Sequence, residues 1–229
     1  MFGGDLIVFT GVAPLLEVDP ERIDESKGPL RAALEHVGVD PARTYWDRPY
    51  LRVVEPIEEG ADTQPGRIGF HRDTWSSNVL AQVNWWAPLS SLTADRTIAF
   101  YPAYWSRPIA NSSAEWDLDE IRERRQRGEE VQIVPEPTEP VDTESELRMV
   151  IEPGDLLCFS GAHLHASVPN TSGERRVSVE LRTVNADDRE QGRGAPDLDG
   201  RAPRVPFHWF RSMADGSPLA GGVPEARRT

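Results

Sequence analysis

Two stretches of this chain carry side chains able to hold a metal ion and an anion: His71-Arg72-Asp73, and far downstream His165 followed by Arg176-Val177-Ser178. On a β-strand, residues i and i+2 point the same way, roughly 6–7 Å apart. With 68–73 read as a strand, His71 and Asp73 turn inward together and Arg72 turns away. A histidine from another strand then completes two imidazoles and one carboxylate on one face of an ion. That donor set suits iron(II) and leaves coordination positions open. His163 and His165 both compete for the third place, since a regular strand would point them the same way.

The elements that must carry these residues can be read from the surrounding pattern. Leu156-Leu157-Cys158-Phe159 reads as a buried strand entered through the turn Pro153-Gly154-Asp155. A second strand over 176–184 puts Arg176 and Ser178 on one face and Val177, Val179 and Leu181 on the other. A guanidinium with a hydroxyl two residues on is a good receptor for a carboxylate, because the arginine offers a fixed, charge-assisted fork. The apolar face of this strand is expected to pack under a helix while its polar face lines an interior.

The ordered set His71-x-Asp73, His165-x-Ser167-x-x-Asn170-x-Ser172, Arg176-x-Ser178 resembles the iron(II)/2-oxoglutarate-dependent dioxygenases, in particular their phytanoyl-CoA dioxygenase-like branch. The resemblance covers about 66–184, and its most specific part is the arginine eleven residues after His165. It implies a mainly β fold, a double-stranded β-helix or jelly-roll barrel with flanking helices. His71, Asp73 and His165, rather than His163, would hold iron(II), with 2-oxoglutarate and O2 filling the open positions. Arg176 and Ser178 would take the far carboxylate of 2-oxoglutarate, with Ser167, Asn84 and Trp86 as further contacts. Gln82, Asn84 and Trp86 alternate onto one face of their strand, the position from which such contacts are made. The implied chemistry is oxidative decarboxylation of 2-oxoglutarate coupled to hydrogen abstraction from a substrate, giving hydroxylation, desaturation or oxidative cyclisation. Because Asp73 occupies the carboxylate place, no position is vacated for halide.

The chain departs from that branch at Phe100-Tyr101-Pro102-Ala103-Tyr104, which replaces its usual Pro-Gly-Ser-His box, and it has no basic cluster for the phosphates of coenzyme A. An acyl-CoA substrate is therefore not expected; a small polar specialised metabolite such as an amino sugar or aminocyclitol is. The alternative from another class is a metal-dependent cupin-like isomerase or a non-catalytic jelly-roll binding module. A metal isomerase has no need of the receptor at Arg176 and Ser178, while the binding module would use the barrel for a small acidic ligand.

Other strands are expected over 6–10, 50–54, 79–86 and 97–101, and a helix over 24–37 from Leu30, Leu34 and Val37 at helical spacing. A long insertion, 102–146, opens with Tyr104 and Trp105, assigned to substrate enclosure. Within it 117–127 is charged almost all round and reads as a solvated helix. Phe207-His208-Trp209-Phe210 reads as an apolar anchor. The 229 residues suit a single oxygenase domain over 1–229. A net charge of −13 argues against nucleic acid or an anionic membrane as partner and leaves a small molecule. One cysteine, no apolar run of ~20 residues and an acidic Asp5 near the start make a cytoplasmic protein the expectation.

The receptor assignment has a direct test. Arg176→Ala should weaken 2-oxoglutarate binding by roughly tenfold to a hundredfold, the worth of a charge-assisted hydrogen bond. Arg175→Ala should leave it near normal, and loss of the Ser178 hydroxyl should cost less than loss of Arg176. Titrating the weak visible charge-transfer band of iron(II) and 2-oxoglutarate in each variant measures this; unchanged affinity in Arg176→Ala sinks the assignment.

Overall fold

The structure, a computed structural model, describes residues 4–58 and 64–219. Among these residues it is built mainly of antiparallel sheet with few helices. The strands are β1 (Ile7–Phe9), β2 (Thr44–Trp46), β3 (Tyr50–Val54), β4 (Gln82–Pro88), β5 (Ile98–Phe100), β6 (Leu147–Met149), β7 (Leu156–Ser160), β8 (His165–Ser167), β9 (Arg176–Asn185) and β10 (Arg211–Ser212). The helices are α1 (Lys27–His36), α2 (Asp73–Ser77), α3 (Leu118–Gln126) and α4 (Ala186–Glu190). The larger sheet has the order β1-β7-β4-β9-β2-β10, with β3 paired to the first half of β9 beside β2; the smaller is β6-β5-β8. The two sheets are separate, with no strand pairing that closes them into a barrel among the described residues.

The central pair β4 and β9 is in register from Gln82 opposite Val184 to Pro88 opposite Ser178. Period-two alternation gives this pair two unlike faces. Outward, Val83, Trp85, Ala87, Val179 and Leu181 pack on Leu30, Ala33 and Leu34 of α1 and on Leu15. Burying each large side chain there contributes about 1.5–3 kcal/mol. Trp85 also satisfies its indole N–H by donating to Thr183 Oγ1 at 2.8 Å. Inward, Trp86 and Phe159 meet Ile98 and Phe100 of the smaller sheet. Phe100 and Phe159 lie edge to face with centroids 4.9 Å apart. This apolar cluster joins the sheets, and the polar residues of β4 and β9 take the rest of the space between them.

The loop from β8 to β9 is fixed by Asn170, which is fully buried. Its amide donates to Val54 O at 3.0 Å and Glu174 O at 2.7 Å, while Oδ1 accepts from Ser172 Oγ at 2.7 Å. The Asn-x-Ser pair thus clamps the start of β9 to the end of β3. The insertion leaves from β5 and returns to β6, which are paired from Phe100 opposite Leu147 to Ile98 opposite Met149. No helix among the described residues is long and apolar enough to cross a membrane.

One expected element is different. Residues 68–73 do not run as a strand. His71 makes only a two-way bridge with His165, each N–H donating to the other's carbonyl at 3.0 Å, and Asp73 then opens α2. An acidic residue is favoured in the first turn of a helix, and Asn78 in the left-handed conformation (φ 51°) ends it. That stop also explains why the following strand begins at Gln82 rather than at 79.

Gly66 sits at φ +79°, and a Cβ there would lie 1.8 Å from Val53 O. Gly66→Ala should therefore destabilise by more than about 1 kcal/mol. A thermal melt should show a drop in Tm of more than ~2 °C.

Candidate metal centre

His71, Asp73 and His165 are all buried, and one ligand atom from each can be chosen so that all lie within 4.8 Å of one another. The bridge between His71 and His165 sets the two imidazoles side by side, ring centroids 4.1 Å apart. The helical turn at Asp73, rather than strand alternation, brings its carboxylate to them, with Oδ1 3.6 Å from His71 Nε2.

Hydrogen bonding prepares each donor atom. His71 Nδ1 faces Gly69 O at 2.8 Å and His165 Nδ1 faces His163 O at 3.0 Å. A carbonyl can only accept, so each Nδ1 carries a proton, and Nε2 is the ring atom left to face a cation. Burial, with help from the neighbouring His71, pushes the His165 imidazole down to about 3, so it is neutral across physiological pH. Burial alone would raise the Asp73 carboxyl, but Arg182 and the two histidines overcome it and hold the group well below the usual carboxylate range. On Asp73 one oxygen is already engaged: Oδ2 accepts from Asn84 Nδ2, and Gln82 Nε2 and Arg182 Nε each lie 3.4 Å from it. Oδ1 remains for the ion, which makes this a single-oxygen ligand.

These residues open into a cavity of about 460 Å³. Arg176, Ser167, Trp86, Asn84 and Gln82 line it with the three candidate ligands, so it gathers most of the sequence-assigned site. Arg176 is 1% exposed; it donates to Thr97 O at 2.7 Å and Ser167 Oγ at 3.2 Å. Its Nε, the Trp86 indole N–H and the Ser178 hydroxyl are buried without a hydrogen-bond partner. Asn84 holds Asp73, a role distinct from the cosubstrate contact the sequence suggested. Ser167 acts on Arg176. Further along β9, Glu180 pairs with Arg52, and Arg182 reaches Asp47 Oδ2 at 3.2 Å. Burial raises the Asp47 carboxyl to about 6 against the pull of Arg182.

The structure separates the two downstream histidines. Both ring nitrogens of His163 face carbonyls, Ser160 O at 3.1 Å and Gly4 O at 3.0 Å, and Trp105 packs on the ring with centroids 4.6 Å apart. Trp105 and Tyr104 therefore lie away from the cavity. Tyr104 is 1% exposed in an apolar cluster with Trp75 and Tyr101, and its hydroxyl accepts from Asp142 N. What the insertion brings to the cavity is one face of α3, with Leu118, Ile121, Arg122 and Arg125, together with Ile133 and Val134 from the segment after it. Only two apolar residues mark the α3 face, which is why the helix reads as solvated in sequence. Trp209 and Phe210 of the expected apolar anchor also line it.

Arg72, between the two ligands, is 2% exposed and points the other way. It donates to Tyr104 O at 2.7 Å and Arg107 O at 3.0 Å, bonds Ala162 O, and pairs with Asp199 at 3.3 Å.

A scan against protein-family models and a search of curated proteins return no match. Among solved structures, the chain is similar to the epimerase SnoN in complex with Fe3+, alpha ketoglutarate and nogalamycin RO. The TM-score is 0.52 at 13% identity, over 94% of this chain and 91% of that one. A second structure, described as the non-heme alpha ketoglutarate dependent epimerase SnoN from nogalamycin biosynthesis, gives 0.50 at 14% identity over 98% and 94%. EvdO2 from Micromonospora carbonacea var. aurantiaca, complexed with 2-oxoglutarate, gives 0.48 at 18% identity over 80% of this chain and 67% of that one. At these identities the likeness is one of fold.

Removing a residue that supports a metal ligand costs roughly 10–100-fold in metal affinity, the loss expected for Asn84→Ala. His71→Ala and His165→Ala should lose more than that, while His163→Ala should lower Tm but keep iron(II) affinity. Anaerobic iron(II) titration alongside thermal melts measures both; equal loss of metal in His163→Ala would mean the triad is misassigned.

Proposed function

We propose that this chain is an iron(II)/2-oxoglutarate-dependent oxygenase. One observation carries the reading. A buried set of two histidines and one aspartate, with its Nε2 and Oδ1 atoms close together, shares a cavity with the buried guanidinium of Arg176. His71, Asp73 and His165 would hold iron(II). Arg176 and Trp86 would hold 2-oxoglutarate from the cavity wall, with Ser178 on the same face of β9 although it does not itself line the cavity; the unpartnered Arg176 Nε and Trp86 indole N–H fit a polar ligand. When bound with O2, the pair supplies oxidative decarboxylation coupled to removal of a substrate hydrogen.

The chain's own part is positioning and exclusion. Asn84, Gln82 and Arg182 fix the orientation of Asp73, and the Gly69 and His163 carbonyls fix the imidazoles. The α3 face and Trp209 line the cavity with the ligand residues, where they would help keep water from the reacting atoms. The two sheets would be the halves of a double-stranded β-helix, and 1–229 one oxygenase unit. The substrate is a small polar metabolite oxidised by hydroxylation, desaturation or ring closure. SnoN, an epimerase of nogalamycin biosynthesis on the same fold, supports a role in specialised-metabolite tailoring.

Anaerobic addition of 2-oxoglutarate to the iron(II)-loaded protein should produce a weak visible charge-transfer band. Admission of O2 should then yield succinate. Well-folded, iron-loaded protein with neither signal would overturn the reading in favour of a metal isomerase or a binding module.

A further inference from the structure

Six arginines and three carboxylates line the cavity, although the chain as a whole carries a charge of −13. Most of the six are accounted for. Arg52 pairs with Glu180, and Arg182 lies between Asp47 and Asp73. Arg176 belongs to the carboxylate receptor already described. Arg48, Arg122 and Arg125 remain, and among the described residues none of them has a carboxylate partner within 4.0 Å.

Arg122 is the informative member. Its Nη2 donates to the Tyr50 hydroxyl at 2.8 Å and its guanidinium lies over the Trp209 ring. Its Nη1 is buried with no hydrogen-bond partner. Tyr50 also has Arg48 at 4.9 Å and Arg182 at 5.2 Å from its ring centroid, so three guanidiniums converge on one tyrosine. Arg122 is half-buried with a donor unmade, and Arg48 and Arg125, also cavity-lining, are exposed, an arrangement that a bound anion would compensate. Burial, and the nearby Arg182 and Arg48, push the Arg122 guanidinium down to about 10, so it is still a cation at neutral pH. The sequence gives no hint of this cluster, because Arg48 precedes β3 while Arg122 and Arg125 lie on α3.

We propose that Arg122, assisted by Arg48 and Arg125, is a specificity-determining receptor for an anionic group on the substrate. This rests on the oxygenase reading and adds the substrate class: a small metabolite bearing a carboxylate, phosphate or sulfate, rather than the amino-bearing one the sequence suggested. The anion binds at the α3 side of the cavity, and Arg176 keeps the far carboxylate of 2-oxoglutarate.

The test uses four probes of matched shape: benzoate, phenyl phosphate, benzyl alcohol and benzylamine. Affinity is read by saturation-transfer NMR on zinc-loaded protein in saturating 2-oxoglutarate. At least one anion should bind roughly tenfold or more tighter than the alcohol and the amine. Further 2-oxoglutarate should not displace it, and the ratio of benzoate to phenyl phosphate identifies the preferred anion. Arg122→Gln should abolish the preference, and Arg122→Lys should recover part of it. Equal or tighter binding of the alcohol or amine, displacement of the anion by 2-oxoglutarate, or no binding of either anion overturns the proposal. The wild-type series decides the matter even where a variant fails to fold. Absence of the iron(II) charge-transfer band would count against the oxygenase reading alone, since the charge preference is read without it.

Discussion

A carboxylate buried beside two imidazoles is the constraint on which the rest of this structure turns. An ionised Asp73 taken out of water is costly unless hydrogen bonds and opposite charge replace the solvent. Asn84 and Gln82 on β4 and Arg182 on β9 make that replacement, and all crowd one oxygen. Arg182 is itself half-buried and pairs with Asp47 and Glu180, and Glu180 in turn pairs with Arg52. The polar face of the sheet is therefore one alternating chain of charges anchored at the metal ligand. Removing any single member would strand the next.

That network is affordable because β4 and β9 turn their other faces to an ordinary apolar core. Trp85, Val179 and Leu181 bury themselves under α1 while Asn84, Glu180 and Arg182 face the cavity. One pair of strands thus supplies both stability and chemistry, and a one-residue slip would exchange the two. This accounts for the long register between them, which leaves little freedom for such a slip.

The legible part of this site was the part written in local periodicity. Strand alternation puts Arg176 and Ser178 on one face and Gln82, Asn84 and Trp86 on another, all but Ser178 line the cavity, and the strand at Tyr50–Val54 is readable to the residue. Other features depended on tertiary context. Asp73 reaches its place through a helical turn capped by Asn78, which period-two reasoning does not anticipate. Tyr104 and Trp105 looked like binding aromatics, yet their bulk fills a separate cluster and stacks on His163. The α3 face was hidden because two apolar residues and two arginines leave a weak periodic signal. The Asp47–Arg182–Asp73 chain joins groups on different elements, and sequence spacing carries no trace of it.

Arg72 gives the site a reach beyond the cavity. Its guanidinium holds carbonyls at Ala162, Tyr104 and Arg107 and the carboxylate of Asp199, so the backbone between His71 and Asp73 is tied to the insertion and to the segment after α4. Docking of those segments and assembly of the ligand set are then thermodynamically linked. An ion that binds only the assembled state tightens the peripheral segments by mass action. Conversely, anything that loosens the contact at Asp199 lowers the apparent affinity for metal from a distance. The metal would act as a clasp on the chain's late segments as well as a reagent.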